Sequence, residues 1–95
     1  MRVRYAARAR NDIEEIYSYI AKENPHAAKR VKAAILATIK LAASRPYTGI
    51  KNARATELRS CLVFRYPYRI HYLVRGQDML ILHIRHGARQ PLKTP

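Results

Sequence analysis

Apolar residues recur at a helical period near the start of the chain. Ala9, Ile13, Ile16, Tyr17 and Ile20 fall on one face of an α-helix, with Asp12, Glu14 and Glu15 in its first half, where carboxylates complement the helix dipole. Ahead of it, "MRVRY" reads as a short strand with Val3 and Tyr5 on one face, and behind it "KENP" ends the helix. Asn24-Pro25 then reads as a new start, an N-cap followed by proline at the first helical position. Ala28, Val31, Ile35, Thr38, Ile39 and Ala42 form a second apolar stripe, which "SRP" at 44–46 stops. So short a connection folds the two helices back as an antiparallel hairpin.

"PYTGIKNARAT" carries Pro46, Gly49 and Asn52 without periodicity and reads as a loop. The period then changes to two. "ELRSCLVFR" places Leu58, Leu62 and Phe64 on one face. "YRIHYLV" places Tyr68, Ile70, Tyr72 and Val74 together, and "MLILHIRH" places Leu80, Leu82 and Ile84 together. The order β-α-α-β-β-β argues an α+β fold, with an N-terminal helical hairpin packed on one face of a small, mostly antiparallel sheet. Residues 1–95 make one domain, with 91–95 as a flexible tail.

If the helices cover the face bearing Tyr68, Ile70, Tyr72, Leu80, Leu82 and Ile84, alternation exposes the rest. The open face then carries Arg59, Cys61, Val63 and Arg65 from the first of the three runs. The second adds Arg69, His71, Leu73 and Arg75, and the last adds Met79, Ile81, His83 and Arg85. Matching the apolar faces of the last two runs needs an odd turn, which the three-residue loop Gly76-Gln77-Asp78 supplies. In that register His71 faces His83 and Arg69 faces Arg85. Like charges directly opposite are unfavourable, and a fold does not need them. The face therefore reads as an anion-binding surface, half apolar and half basic, set against the plainer reading of solvated arginines that splay apart. His86 falls on the covered side at the strand's end, where a lone histidine is usually a packing residue. "HGARQP" leaves the strand and puts Arg89 on a mobile, exposed tail.

Charge sharpens this picture. Nineteen Lys and Arg stand against six Asp and Glu, a formal +13 on 95 residues. Solubility needs far less, and such a potential attracts nucleic acid, acidic protein or anionic membrane. The single cysteine, Cys61, makes no internal disulfide, and no Cys/His spacing suits a metal, so no metal or cofactor is expected. The start lacks a continuous apolar signal-peptide core, and no run is long enough to span a membrane; the cytosol is the expected compartment.

Two chemistries suit the cluster. RNA cleavage through the 2′-hydroxyl needs a base, an acid and cations on the phosphate. His71, His83 or His86 could supply acid or base, and cations for the phosphate are plentiful. The nearest carboxylate, Glu57, stands at the far start of a strand, so the alternative is a surface that only binds. A third class, a basic adaptor that binds nucleic acid directly, has the charge but no stacking motif or helix-turn-helix.

"ARARNDIEEIYSYIA" resembles the opening helix of the ParE/RelE superfamily of toxins from toxin–antitoxin modules. "RPYTGIKNARATELRSCLVFRYPYRIHYLV" is similar to the family's middle, with its Pro-x-x-Gly loop, Leu58-Arg59 and Tyr-Arg-Ile-x-Tyr strand. "ILHIRHGARQP" looks like a ParE-type ending. The three segments come in the family's order across nearly the whole chain. The resemblance implies a toxin of a type II, plasmid-stabilisation module. ParE-like members poison DNA gyrase and are neutralised by ParD-like antitoxins; RelE-like members cleave mRNA in the ribosome. Arg69 matches an arginine used by the nucleases, and Arg89 falls where another stands. Ser60 and Leu62 stand where the nucleases place lysines, and Gly87 follows His86 where a catalytic tyrosine is expected. In other branches a C-terminal histidine is the acid, which keeps His86 as a candidate. The resemblance favours the gyrase-directed branch, with an acidic ParD-like antitoxin as partner in a hetero-oligomer. Its apolar side chains are expected on Val63, Leu73, Met79 and Ile81. Its carboxylates are expected on Arg59, Arg69 and Arg85, with Arg65, His71, His83 and Arg89 around them.

Overall fold

The computed structural model describes residues 1–55 and 57–86. Strand β1 (Arg2–Tyr5) leads into helices α1 (Ala7–Ala21) and α2 (Pro25–Ser44). A 3-10 turn at Pro46–Thr48 and four strands follow: β2 (Ile50–Lys51), β3 (Leu58–Leu62), β4 (Tyr68–Arg75) and β5 (Asp78–His86). The sheet order is β1-β5-β4-β3-β2, with β1 parallel to β5 and every other pair antiparallel. The α+β organisation expected from the sequence is the one observed. What the sequence pattern hid is β2, a two-residue strand inside the segment read as loop.

The helical hairpin forms for the expected reasons. Asn24 caps α2, its side-chain oxygen accepting from the Ala27 amide at 3.0 Å, and Pro25 takes the first helical position. Ala9 and Ile13 from α1, with Val31, Ile35 and Ile39 from α2, are buried against Val63, Ile70, Tyr72, Met79, Ile81 and Ile84 of the sheet side. Both helices lie on one face. The other face is covered by no described element.

The closing hairpin departs from the expected turn. Arg75 pairs with Asp78, so the turn is the two residues Gly76-Gln77, not three, and Gly76 supplies the positive φ (57°) that a two-residue hairpin turn asks for. Val74 therefore faces Met79, and Tyr72 faces Ile81. Met79 and Ile81 are fully buried beneath the helices instead of lining the open face, and Leu80 lies on the open side. Beyond Ile81 the ladder shifts by one residue: Leu82 is the extra residue of a β-bulge, and His71 then meets His83. The bulge undoes the parity change that the short turn introduced. Arg69 still pairs with Arg85, and Ile70 with Ile84.

Strand β3 has the opposite parity to the expected one. Cys61 pairs with buried Ile70 and Arg59 with buried Tyr72, so Arg59, Cys61 and Val63 belong to the helix side. Val63 is core, and Leu58, Ser60 and Leu62 face outward. An arginine is tolerated on the helix side because its guanidinium is satisfied there. Arg59 donates to the carbonyls of Tyr47 (3.0 Å) and Gly49 (3.1 Å) and lies over the Tyr47 ring. The cost falls on the apolar residues that lose burial: Leu62 is 55% exposed and Phe64 75%. Arg65 is not a strand residue. It sits at φ 76° in the turn between β3 and β4, over the Phe64 ring. Arg89 and the 91–95 tail lie outside the described residues.

Candidate anion-binding face

The uncovered face is built in rows across β3, β4 and β5. Leu58, Leu73 and Leu80 form one row, extended on β1 by Arg4. Ser60, His71 and His83 form the next, with Ile50 of β2 beside Ser60. Leu62, Arg69 and Arg85 form the third. An oily row thus adjoins an imidazole row and a cationic row.

The two imidazoles stack, with ring centroids 4.5 Å apart and planes 14° from parallel. Burial, then the His83 ring and the Arg69 and Arg85 guanidiniums push His71 down to about 4. His83 is also pushed down, by burial and then by Arg8 and Arg85, with Asp12 pulling the other way. Both rings are therefore neutral at pH 7. Asp12 does a second job: its carboxylate accepts the Ile84 amide at 2.9 Å. Strand β1 has ended by this point, its ladder closed by Ala6 donating to the Ile81 carbonyl, and the side chain from α1 takes over as partner to the exposed strand edge.

Charge is sorted along the face. At the turn end, acids answer the cations: Arg2 and Arg4 face Asp78 at 2.9 and 3.9 Å, and Arg75 faces Glu57 at 3.2 Å. At the other end, among the described residues, Arg69 and Arg85 have no acidic partner; Arg69 donates only to Ser60 Oγ, at 2.9 Å. Two guanidiniums opposite each other on neighbouring strands, with no acidic partner among the described residues, have the chemistry to hold an external anion.

Of the residues proposed from sequence, Arg69, His71, Leu73, His83 and Arg85 come together on this face. Arg59, Val63, Met79 and Ile81 do not, and Arg65 stands in a turn to the side. His86 is on the helix side, edge-on to Tyr68 at 5.4 Å, and its Nδ1 is buried with no hydrogen-bond partner among the described residues. Sequence reasoning missed Leu58, Ser60, Leu62 and Leu80, whose place on this face follows from the two-residue turn and the β3 parity. It also missed Arg8, which reaches His83 from α1. The Arg8–Asp12 helical spacing was visible, but not which strand it would meet. Among the described residues no cluster of His, Cys, Asp or Glu could hold a metal.

Comparisons with known proteins identify a family. Residues 3–91 match the model described as the ParE toxin of type II toxin-antitoxin system, parDE. The chain is 34% identical over 89 residues to a Sinorhizobium fredii (strain NBRC 101917 / NGR234) protein named "Putative toxin Y4kP", covering 94% of this chain and 91% of that one. A solved structure titled "Chromosomal ParDE TA system from P. aeruginosa" superposes with TM-score 0.77 over 90% of this chain and 95% of that one, at 20% identity. That last likeness speaks for the fold alone.

Proposed function

The chain belongs to the ParE toxin family of type II toxin–antitoxin systems, and from that premise we propose that it inhibits DNA gyrase and is silenced by a ParD-like antitoxin seated on the uncovered sheet face. The observation that carries this reading is the composition of that face. Among the described residues it offers apolar rows and unanswered arginines to a partner, but no paired acid and base to a phosphodiester. Cleavage of RNA needs a base and an acid on opposite sides of the reacting phosphate. His71 and His83 lie ring against ring on one side. Glu57, held by Arg75, stands three rows from Arg69.

The antitoxin's chemistry follows from the rows. Leucine-sized side chains fit along Leu58, Leu73 and Leu80, and carboxylates fit at Arg69 and Arg85. Such a complex forms quickly and loses affinity with salt. None of the described helices is long and apolar enough to cross a membrane, and the pair would act in the cytoplasm, where gyrase is.

The test is supercoiling by purified gyrase in the presence of the toxin. The expected result is inhibition with stabilised cleavage complexes, reversed by antitoxin. Codon-specific cuts in a translated message, lost in His83→Ala or His86→Ala, would instead establish the ribosome-dependent nuclease reading.

A further inference from the structure

On the reading that the sheet face receives a carboxylate-bearing partner, we propose that Arg69 and Arg85 grip a carboxylate and that the stacked His71–His83 pair takes up a proton from solvent as it seats. The face would then be a carboxylate site whose affinity rises as pH falls.

The geometry sets this up. The rings lie 4.5 Å apart and nearly parallel, on neighbouring strands, so a charge on one is felt fully by the other. The groups facing them are almost all positive. Arg69 comes from β4, Arg85 from β5 and Arg8 from α1. From β3 the facing side chain is Ser60, whose hydroxyl is occupied by Arg69. A pocket of about 260 Å³ reaches His71; Lys51 and Arg59 are among its lining residues, but both belong to the helix-side parity of their strands. The one acid among the described residues that faces them is Asp12, already committed to the Ile84 amide and within 4.0 Å of Arg8. The Nδ1 atom of His83 is buried with no hydrogen-bond partner. The pair is thus held neutral first by burial and then by repulsion from the surrounding cations. A carboxylate placed between Arg69 and Arg85 cancels that repulsion and gives a protonated imidazole an opposite charge, which shifts such a group upward by about one to three units.

The experiment follows the imidazole Cε1–H signals of the whole protein by NMR, with His71→Gln and His83→Gln assigning the peaks. Titrations run from below the free His71 value of about 4 up to neutrality. They are done in buffer, with a hexaglutamate peptide, and in sodium chloride of equal ionic strength. The midpoint of His71 or His83 is expected to rise with hexaglutamate by about one unit or more beyond the chloride result. Equal movement of His71 and His83 in the two solutions, with the Arg69 and Arg85 amides still perturbed by peptide, would overturn proton uptake and leave the docking face standing. If those amides are not perturbed by the peptide at all, both the uptake and the face assignment fall.

Discussion

His71 and His83 tie stability to pH in a definite direction. Both are depressed in the folded chain, His71 from the ordinary 6.5 to about 4. As pH falls, the unfolded chain takes up these protons first. The stability they contribute is therefore whole above about 6.5 and is lost progressively down to about 4. The urea midpoint should fall between neutrality and that lower limit, and the fall should be shallower in His71→Gln, measured by tryptophan-independent means such as far-UV circular dichroism. Asp12 permits a second test. Asp12→Ala leaves the Ile84 amide without its acceptor and is expected to cost about 1–3 kcal/mol. Asp12→Asn keeps an acceptor oxygen and should recover most of that in the same denaturation experiment.

The strands show where the sequence was legible and where it was not. The helical stripes at Ala9–Ile20 and Ala28–Ala42 could be read because one polar face and one apolar face repeat without interruption, and Asn24-Pro25 marks the second start. The pairings His71–His83 and Arg69–Arg85 could also be read, although by compensation: a turn one residue shorter than expected and a bulge at Leu82 cancel. Between turn and bulge the faces invert, and no local signal in "MLILHI" says so, because every residue there except the histidine is apolar. Strand β3 misled for a different reason. Arg59 looks outward-facing on charge alone, yet the carbonyls that hold it belong to Tyr47 and Gly49, in a segment with no periodicity. That segment is pinned by Tyr72, whose hydroxyl donates to the Pro46 carbonyl at 2.8 Å. A Cβ at Gly49 would collide with that hydroxyl. Gly49→Ala should therefore loosen β2 against β3 and destabilise by about 1–3 kcal/mol, readable as a lower melting temperature.

At the scale of the molecule, +13 on 95 residues works against compactness, and few acids are available to offset it. Four of the six acids are engaged with arginine or lysine: Asp12, Glu14, Glu57 and Asp78. On the proposed reading, an acidic antitoxin would relieve the repulsion and bind only the folded form, so the complex should melt well above the free toxin. The most direct test of the account compares two charge reversals of equal size in antitoxin titrations by calorimetry. Arg69→Glu with Arg85→Glu alters the uncovered face; Lys29→Glu with Arg30→Glu alters exposed α2 on the helical layer. The first pair is expected to weaken binding on the order of a hundredfold or more, and the second only a few-fold, through long-range charge alone. Equal losses from the two pairs, or a larger loss from the helical pair, would contradict the placement of the antitoxin on the sheet.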